Sequence, residues 1–193
     1  MPDDQPHPPA HDQLVIDSIA RGDPRAFEAA YRAHKDPLLT LLVMAFGLDR
    51  SAAEDVLHDV FTRLVRQAAS IQLTGSLRGY LAACCKNRAR DIARRDQRQR
   101  DSIEAYRPAA DNSESILEHT EAIAHACRLL SQLPDDQREV VGLHLQGELT
   151  FREIADALGI PVNTAKSRYR YAIDKLRELW ESASTRPGET HVR

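Results

Sequence analysis

The stretch LRGYLAACCKNRARDIARRDQRQR, Leu77 to Arg100, sets eight Lys and Arg side chains against two Asp. Positive charge at that density draws phosphates, because each neutralised phosphate releases condensed counterions. Two of its residues could act on an exposed base, Tyr80 by stacking and Asn87 by hydrogen bonding. Taken alone, the segment has a plainer reading as a solvated charge run. A second basic cluster lies in EIADALGIPVNTAKSRYRYA, Glu153 to Ala172, where Lys166, Ser167, Arg168, Arg170 and Tyr171 share an outer face. A third group is mostly acidic: Glu54, Asp55, His58, Asp59 and Thr62 line the face opposite an apolar stripe. By itself that is an ordinary solvent-facing stripe.

Bond-breaking chemistry finds little support. There is no Gly-rich phosphate loop, nucleophile elbow or HExxH motif in the chain. His119, His125 and Cys127, with Cys84 or Cys85, are too irregularly spaced for a zinc site and read as buried or solvated side chains. No catalytic residue, metal or cofactor is expected. The 193 residues carry 26 basic and 29 acidic side chains, a formal charge of −3, so no global excess advertises nucleic acid. The basic patches are therefore local, which makes them more informative.

The longest apolar run, Leu38 to Leu48, is interrupted by Thr40 and falls short of the ~18 residues of a membrane span. MPDDQPHPPAHDQ at the start has neither the basic opening nor the apolar core of a secretory signal. Three cysteines, two of them adjacent, cannot form a disulfide framework. A cytoplasmic protein without membrane insertion is the expectation.

Nearly every periodic segment has helical spacing, and no alternating run suggests a strand. Asp23 and Pro24 read as a cap and first helical residue, opening a helix with Phe27 and Tyr31 and a kink or break at Pro37. Ser51 and Glu54 read as a capping box for a helix whose apolar stripe is Val56, Leu57, Val60, Phe61, Leu64 and Val65. Another helix is expected over about 77–95. From Asp101 to Glu121, six acidic residues face one Arg among Ser, Asn, Pro and Ala, the composition of a linker. Helices are expected to resume near 115–130 and again over 135–145, closed by Gly147.

Thr150 and Glu153 then form a second capping box. The short helix they open buries Ile154, Ala155 and Leu158 and ends at a left-handed Gly159. Asn163 or Thr164 caps the last helix, which buries Tyr169, Ala172, Ile173, Leu176 and Trp180. That is the pattern of a helix-turn-helix, whose second helix enters a DNA major groove. A solvated αα-hairpin is its plainer counterpart. The fold class is all-α: two small helical domains joined by an acidic flexible linker, the second containing the helix-turn-helix. The expected boundaries are a disordered tail 1–12, an N-terminal helical domain 13–96, a linker 97–121, a C-terminal domain 122–182 and a tail 183–193.

Together the signals match a family. AEDVLHDVFTRLVRQ (Ala53–Gln67) followed by LRGYLAACCKNRARDIARR resembles the promoter-melting domain of bacterial sigma factors. LSQLPDDQREVVGLHLQGELTFREIADALGIPVNTAKSRYRYAIDKLRE (Leu130–Glu178) resembles their −35-reading domain. The absence of a long domain between them looks like the small extracytoplasmic-function (ECF) group. The resemblance implies that Glu54, Asp55, Leu57, His58, Asp59 and Thr62 dock on the clamp helices of core RNA polymerase. It implies that Tyr80, Lys86, Asn87, Arg88, Arg90, Asp91 and Arg94 hold the melted, single-stranded −10 element. Thr164, Lys166, Ser167, Arg168 and Arg170 would read double-stranded promoter DNA at −35. The linker would run through the polymerase toward the RNA path, and an anti-sigma factor is a further implied partner.

The chain departs from the pattern in places. Tyr80 and Val65 stand where relatives often carry Trp, Cys84-Cys85 replace an aliphatic-small pair, and Arg168 occupies a site often apolar. Two rival readings are a stand-alone helix-turn-helix regulator and a polymerase adaptor that uses only the acidic helix. The first leaves the basic helix and its acidic neighbour unexplained. Run-off transcription with core polymerase separates all three, because only a sigma factor confers promoter-specific initiation.

Overall fold

In the computed structural model, residues 9–102, 126 and 128–184 are described, and every regular element among them is helical. The elements are α1 (Pro9–Ala20), α2 (Pro24–Phe46), α3 (Arg50–Gln67), a 3-10 turn (Ala68–Ser70), α4 (Leu77–Ser102), α5 (Asp135–Leu145), α6 (Phe151–Leu158) and α7 (Val162–Ser184). Residues 128–130 are helical as well. The linker expected over 97–121 and the cluster around His119, His125 and Cys127 lie largely outside the described residues.

Local chemistry explains most boundaries. Asp23 accepts from the Arg25 amide at 2.9 Å, and Pro24 takes the first position of α2, where its missing N–H is harmless. The helix does not break at Pro37; it runs on to Phe46. Leu38, Leu41, Leu42 and Ala45 directly beyond the proline are all buried, so core packing holds both segments in line. Gly47, at φ 67°, ends α2, its amide donating to the Val43 carbonyl at 3.1 Å while the Leu48 amide donates to that of Leu42 at 3.3 Å. The cap of α3 is Asp49, which accepts from the Ala52 amide at 2.8 Å, and not the expected Ser51. With helix starting at Arg50, Ser51 already lies inside the first turn, and Glu54 pairs with Arg50 instead.

The first helix corrects the expected tail, because residues 9–12 are already helical. Asp12 accepts from the Leu77 amide at 2.6 Å, supplying a carboxylate to the opening turn of α4. Gln13 brackets the preceding loop, donating to the Ile71 carbonyl and accepting from the Leu73 amide.

In the C-terminal half the Thr150–Glu153 capping box is formed, and Gly159 sits at φ 66°. The last helix starts at Val162, so Asn163 and Thr164 occupy its first turn and do not cap it. His144, Phe151 and Tyr169 stack within 4.7–5.4 Å of one another and join α5, α6 and α7. Trp180, expected in the core, is 56% exposed near the far end of α7.

The two halves share one hydrophobic core. Val140, Leu143, Leu149, Ile154, Ala155 and Ala165 from the C-terminal half are continuous with Leu41, Ala45, Leu81, Cys85 and Ala89 from the N-terminal half. The closest approach is at Gly142. A Cβ there would collide with the Ala45 methyl and lie 3.2 Å from Leu41 Cδ1, so only glycine lets α5 press so close to α2.

Candidate nucleic-acid interface

The acidic face of α3 points to solvent at Glu54, Asp55, His58 and Asp59, with Thr62 half-buried beside Phe27, Tyr31 and Phe61. Leu57 does not belong to that face. It is 1% exposed and packs in the core with Val56, Val60 and Phe61, so it supports the helix from beneath. The helical period explains it, since Leu57 stands three and four positions before Val60 and Phe61 and so falls on their buried stripe.

Six of the seven candidate residues of α4 fan out in three directions. Asn87, Asp91 and Arg94 are exposed along one edge, at steps of four and three. Arg88 turns toward α3 and donates from Nε and Nη2 to Asp59 Oδ2, at 3.0 and 2.7 Å. A residue that the resemblance assigns to strand holding therefore touches one that it assigns to polymerase docking. The third direction is inward, against the C-terminal half. Lys86 is 6% exposed and its ammonium donates to the Ala157 carbonyl near the end of α6. Arg90 donates to both oxygens of Glu139, at 2.6–3.1 Å.

Tyr80 is half-buried. Burial, then the Cys84 side chain that bonds its hydroxyl, push its pKa up to about 12. Burial likewise raises the Cys84 thiol, and Cys85 still more, to about 12, so neither is poised as a thiolate at neutral pH. Lys86 is shifted downward, first by burial and then by the Arg90 charge, with Glu139 opposing.

On α7, Lys166 and Arg170 are exposed and one turn apart. The Arg170 guanidinium lies 5.1 Å from the Tyr171 ring centre and Lys166 Nζ 6.0 Å from that of Phe151, so aromatic faces border both cations. Thr164 and Ser167 are half-buried, with Ser167 donating its hydroxyl to the Thr164 carbonyl at 3.0 Å. Arg168 faces another way. Its Nε lies 3.0 Å from Asp136 Oδ2 on α5, and this ion pair is how the chain accommodates a cation where related motifs are often apolar. Glu139 is the residue the sequence reading missed. The signal was present: a lone carboxylate beside the apolar pair Val140 and Val141, a place that demands a partner.

Among the described residues, no group of three or more His, Cys, Asp and Glu could hold a metal ion. No described helix is long and apolar enough to cross a membrane.

The chain matches the family description Sigma-70 region 2 over residues 30–99 and Sigma-70, region 4 over residues 129–178. The matches account for more than half of the chain. It belongs to the sigma-70 family, the factors that confer promoter-specific initiation on RNA polymerase. Within that family it is an ECF sigma factor. It is 28% identical to the ECF RNA polymerase sigma factor RpoE of Cereibacter sphaeroides, over 85% of this chain and 98% of that one. It is 27% identical to the RNA polymerase sigma-H factor of Pseudomonas aeruginosa, over 85% and 92%. Two solved structures share the fold. CnrH in complex with the cytosolic domain of CnrY superposes with a TM-score of 0.67 at 23% identity, covering 89% of this chain and 97% of that one. RpoE in complex with the anti-sigma factor NepR from Bartonella quintana gives 0.62 at 21%, covering 80% and 96%.

Proposed function

We propose that the three faces divide the work of initiation. Glu54, Asp55, His58, Asp59 and Thr62 dock on a basic surface of core polymerase. Lys86, Asn87, Arg88, Arg90, Asp91 and Arg94, with Tyr80 beside them, hold the melted −10 strand. Lys166 and Arg170 read the −35 duplex from the first turns of α7, with Thr164 and Ser167 close to the backbone. Arg168 positions α7 through Asp136 and does not reach a base. The N-terminal unit ends near residue 96 and the C-terminal unit spans 122–182. The chain works in the cytoplasm, where polymerase and promoter are, and supplies recognition while the polymerase supplies the chemistry. An anti-sigma protein, like the NepR bound to one of the structural neighbours, is the expected regulator.

The observation that carries this reading is the pairing of an exposed basic edge on α7, behind a formed capping box, with a separate basic helix in the other half. A stand-alone regulator has no use for the second, and a polymerase adaptor has no use for either. Run-off transcription with core polymerase on a library of promoters tests it. Promoter-specific transcripts are expected, with alanine at Lys166 and Arg170 erasing −35 preference. Equal transcription of all templates, or a double variant with unchanged preference, would overturn the assignment.

A further inference from the structure

The loop 71–76, which carries the chain toward the basic helix α4, is gripped by a helix from far upstream in the sequence. Consecutive residues of α1 hold its two ends. Gln13 donates from Nε2 to the Ile71 carbonyl at 3.1 Å and accepts at Oε1 from the Leu73 amide at 3.0 Å. Asp12 accepts from the Leu77 amide at 2.6 Å, where α4 begins. The Gln13 carboxamide is itself oriented, since Asp17 Oδ1 also accepts from Nε2, at 3.0 Å. Two acceptors face its nitrogen and one donor faces its oxygen, so the group fits only one way round. Ile16 and Ile19, 0% and 4% exposed, root α1 in the core and make the grip rigid. Its consequence is specific. The Ile71 carbonyl and the Leu73 amide belong to the two peptide groups that flank Gln72, and holding both fixes the backbone dihedrals between them. Ile71 and Ser76 are buried, whereas the side chains of Gln72 and Thr74 are exposed.

We propose that Gln13 is a positioning residue for promoter opening: by pinning the peptide groups on either side of Gln72, it presents the Gln72 carboxamide, already ordered, to a base of the melted −10 strand. The proposal rests on the assignment of α4 to that strand and extends it to α1, which lies ahead of the Sigma-70 region 2 match that begins at residue 30. Gln72 has suitable chemistry. A carboxamide sets a donor beside an acceptor and can pair with a base edge, as Gln does with adenine. Its place is suitable as well, because the loop runs directly into α4, with Tyr80, the stacking candidate, in the first turn. A loose loop would lose backbone and side-chain freedom when a base arrived, and that loss would weaken the contact. Here the ordering is already complete in the folded chain, and it comes from within the N-terminal half.

The test uses holoenzyme reconstituted from core polymerase and the full chain, on a promoter selected from the library with each −10 position permuted in turn. Gln13→Met keeps the length and volume of the side chain and removes its three hydrogen bonds. Gln72→Ala removes the base-contacting group and leaves α1 untouched. Permanganate footprinting on closed duplex reads strand opening. Each variant should open the promoter about three- to tenfold less, the scale of one preordered contact. Each should also flatten base preference at the same single −10 position. In the double variant the Gln13→Met loss should vanish, because a positioning residue has no effect once the group it positions is gone. A merely structural Gln13 would give losses that add and a base preference that persists, and that result overturns the proposal. If Gln13→Met melts too low for the assay, Gln72→Ala decides alone, and unchanged preference at every −10 position overturns the proposal. Alanine at Asn87 and Arg94 keeps the two ideas apart. Opening impaired by those two but untouched by Gln13→Met and Gln72→Ala defeats the positioning role alone, whereas opening untouched by all four defeats the underlying assignment of α4.

Discussion

Glu153 joins a local motif to the tertiary seam, so replacing it with alanine separates the two. One of its oxygens accepts from the Thr150 amide at 2.9 Å and the Thr150 hydroxyl at 3.0 Å; the other accepts from the Ser76 amide at 3.2 Å. Loss of the carboxylate's half of the capping box costs up to ~1 kcal/mol, on the scale of N-cap substitutions. Loss of a hydrogen bond to a charged acceptor in a half-buried site adds ~1–2 kcal/mol. A total of ~2–3 kcal/mol lowers the Tm of a chain this size by about 5–10 °C. Thr150→Ala is the control, since it removes the cap hydroxyl but leaves the bond to Ser76, and it should lower Tm by only about 2–4 °C.

The effect also has a pH signature. Burial alone would raise the Glu153 pKa, but the hydrogen bonds from Ser76 and Thr150 outweigh it and hold the pKa below the ordinary 4.5. A depressed acid stabilises the fold above its unfolded pKa and loses that contribution as pH falls through the depressed value. The deficit of Glu153→Ala should therefore be full at neutral pH and shrink below about pH 4. Calorimetry of wild type and both variants across that range is the assay. Equal Tm losses for Glu153→Ala and Thr150→Ala at neutral pH would refute the claim that the carboxylate ties the two halves together.

The other predictions are shorter. Alanine at Lys166 or Arg170 should each cost ~1–3 kcal/mol of promoter discrimination if the side chain reads a base. Arg168→Ala should leave base preference unchanged and cost at most ~1 kcal/mol of stability through Asp136, a difference that selection from a promoter library against thermal melting resolves. Reversing charge at Asp55 and Asp59 should slow association with core polymerase and flatten or invert its fall with salt, measured by stopped-flow. Burial, then the Arg78 charge, lower the His34 pKa against Asp12 and Glu148, which raise it, and its Nδ1 has no hydrogen-bond partner. A depressed base makes the folded chain resist a proton that the unfolded chain accepts, so stability should fall as pH drops through 6.5, and His34→Gln should flatten that slope in melts.

Much of this protein was legible in its residue order because the signals are local. The Asp23-Pro24 opening, the Thr150–Glu153 box, the left-handed Gly159 and the helical spacing of the apolar stripes act within a turn or two, and each stands in the structure. The density of cations on α4 and α7, and the family likeness they carry, needed no coordinates. The local cap at Ser51 failed only because Asp49, two residues earlier, offered a carboxylate where the helix begins. Which face of α4 meets which partner was another matter. Lys86, Arg88 and Arg90 look alike on a helical wheel, yet one is buried under α6, one is tied to Asp59 and one is held by Glu139. The partners stand 71, 29 and 49 residues away, beyond the reach of any periodicity. Charge density is a property of composition and survives in the sequence. Occupancy of a charge depends on distances between segments, and only the packing of one half against the other decides it.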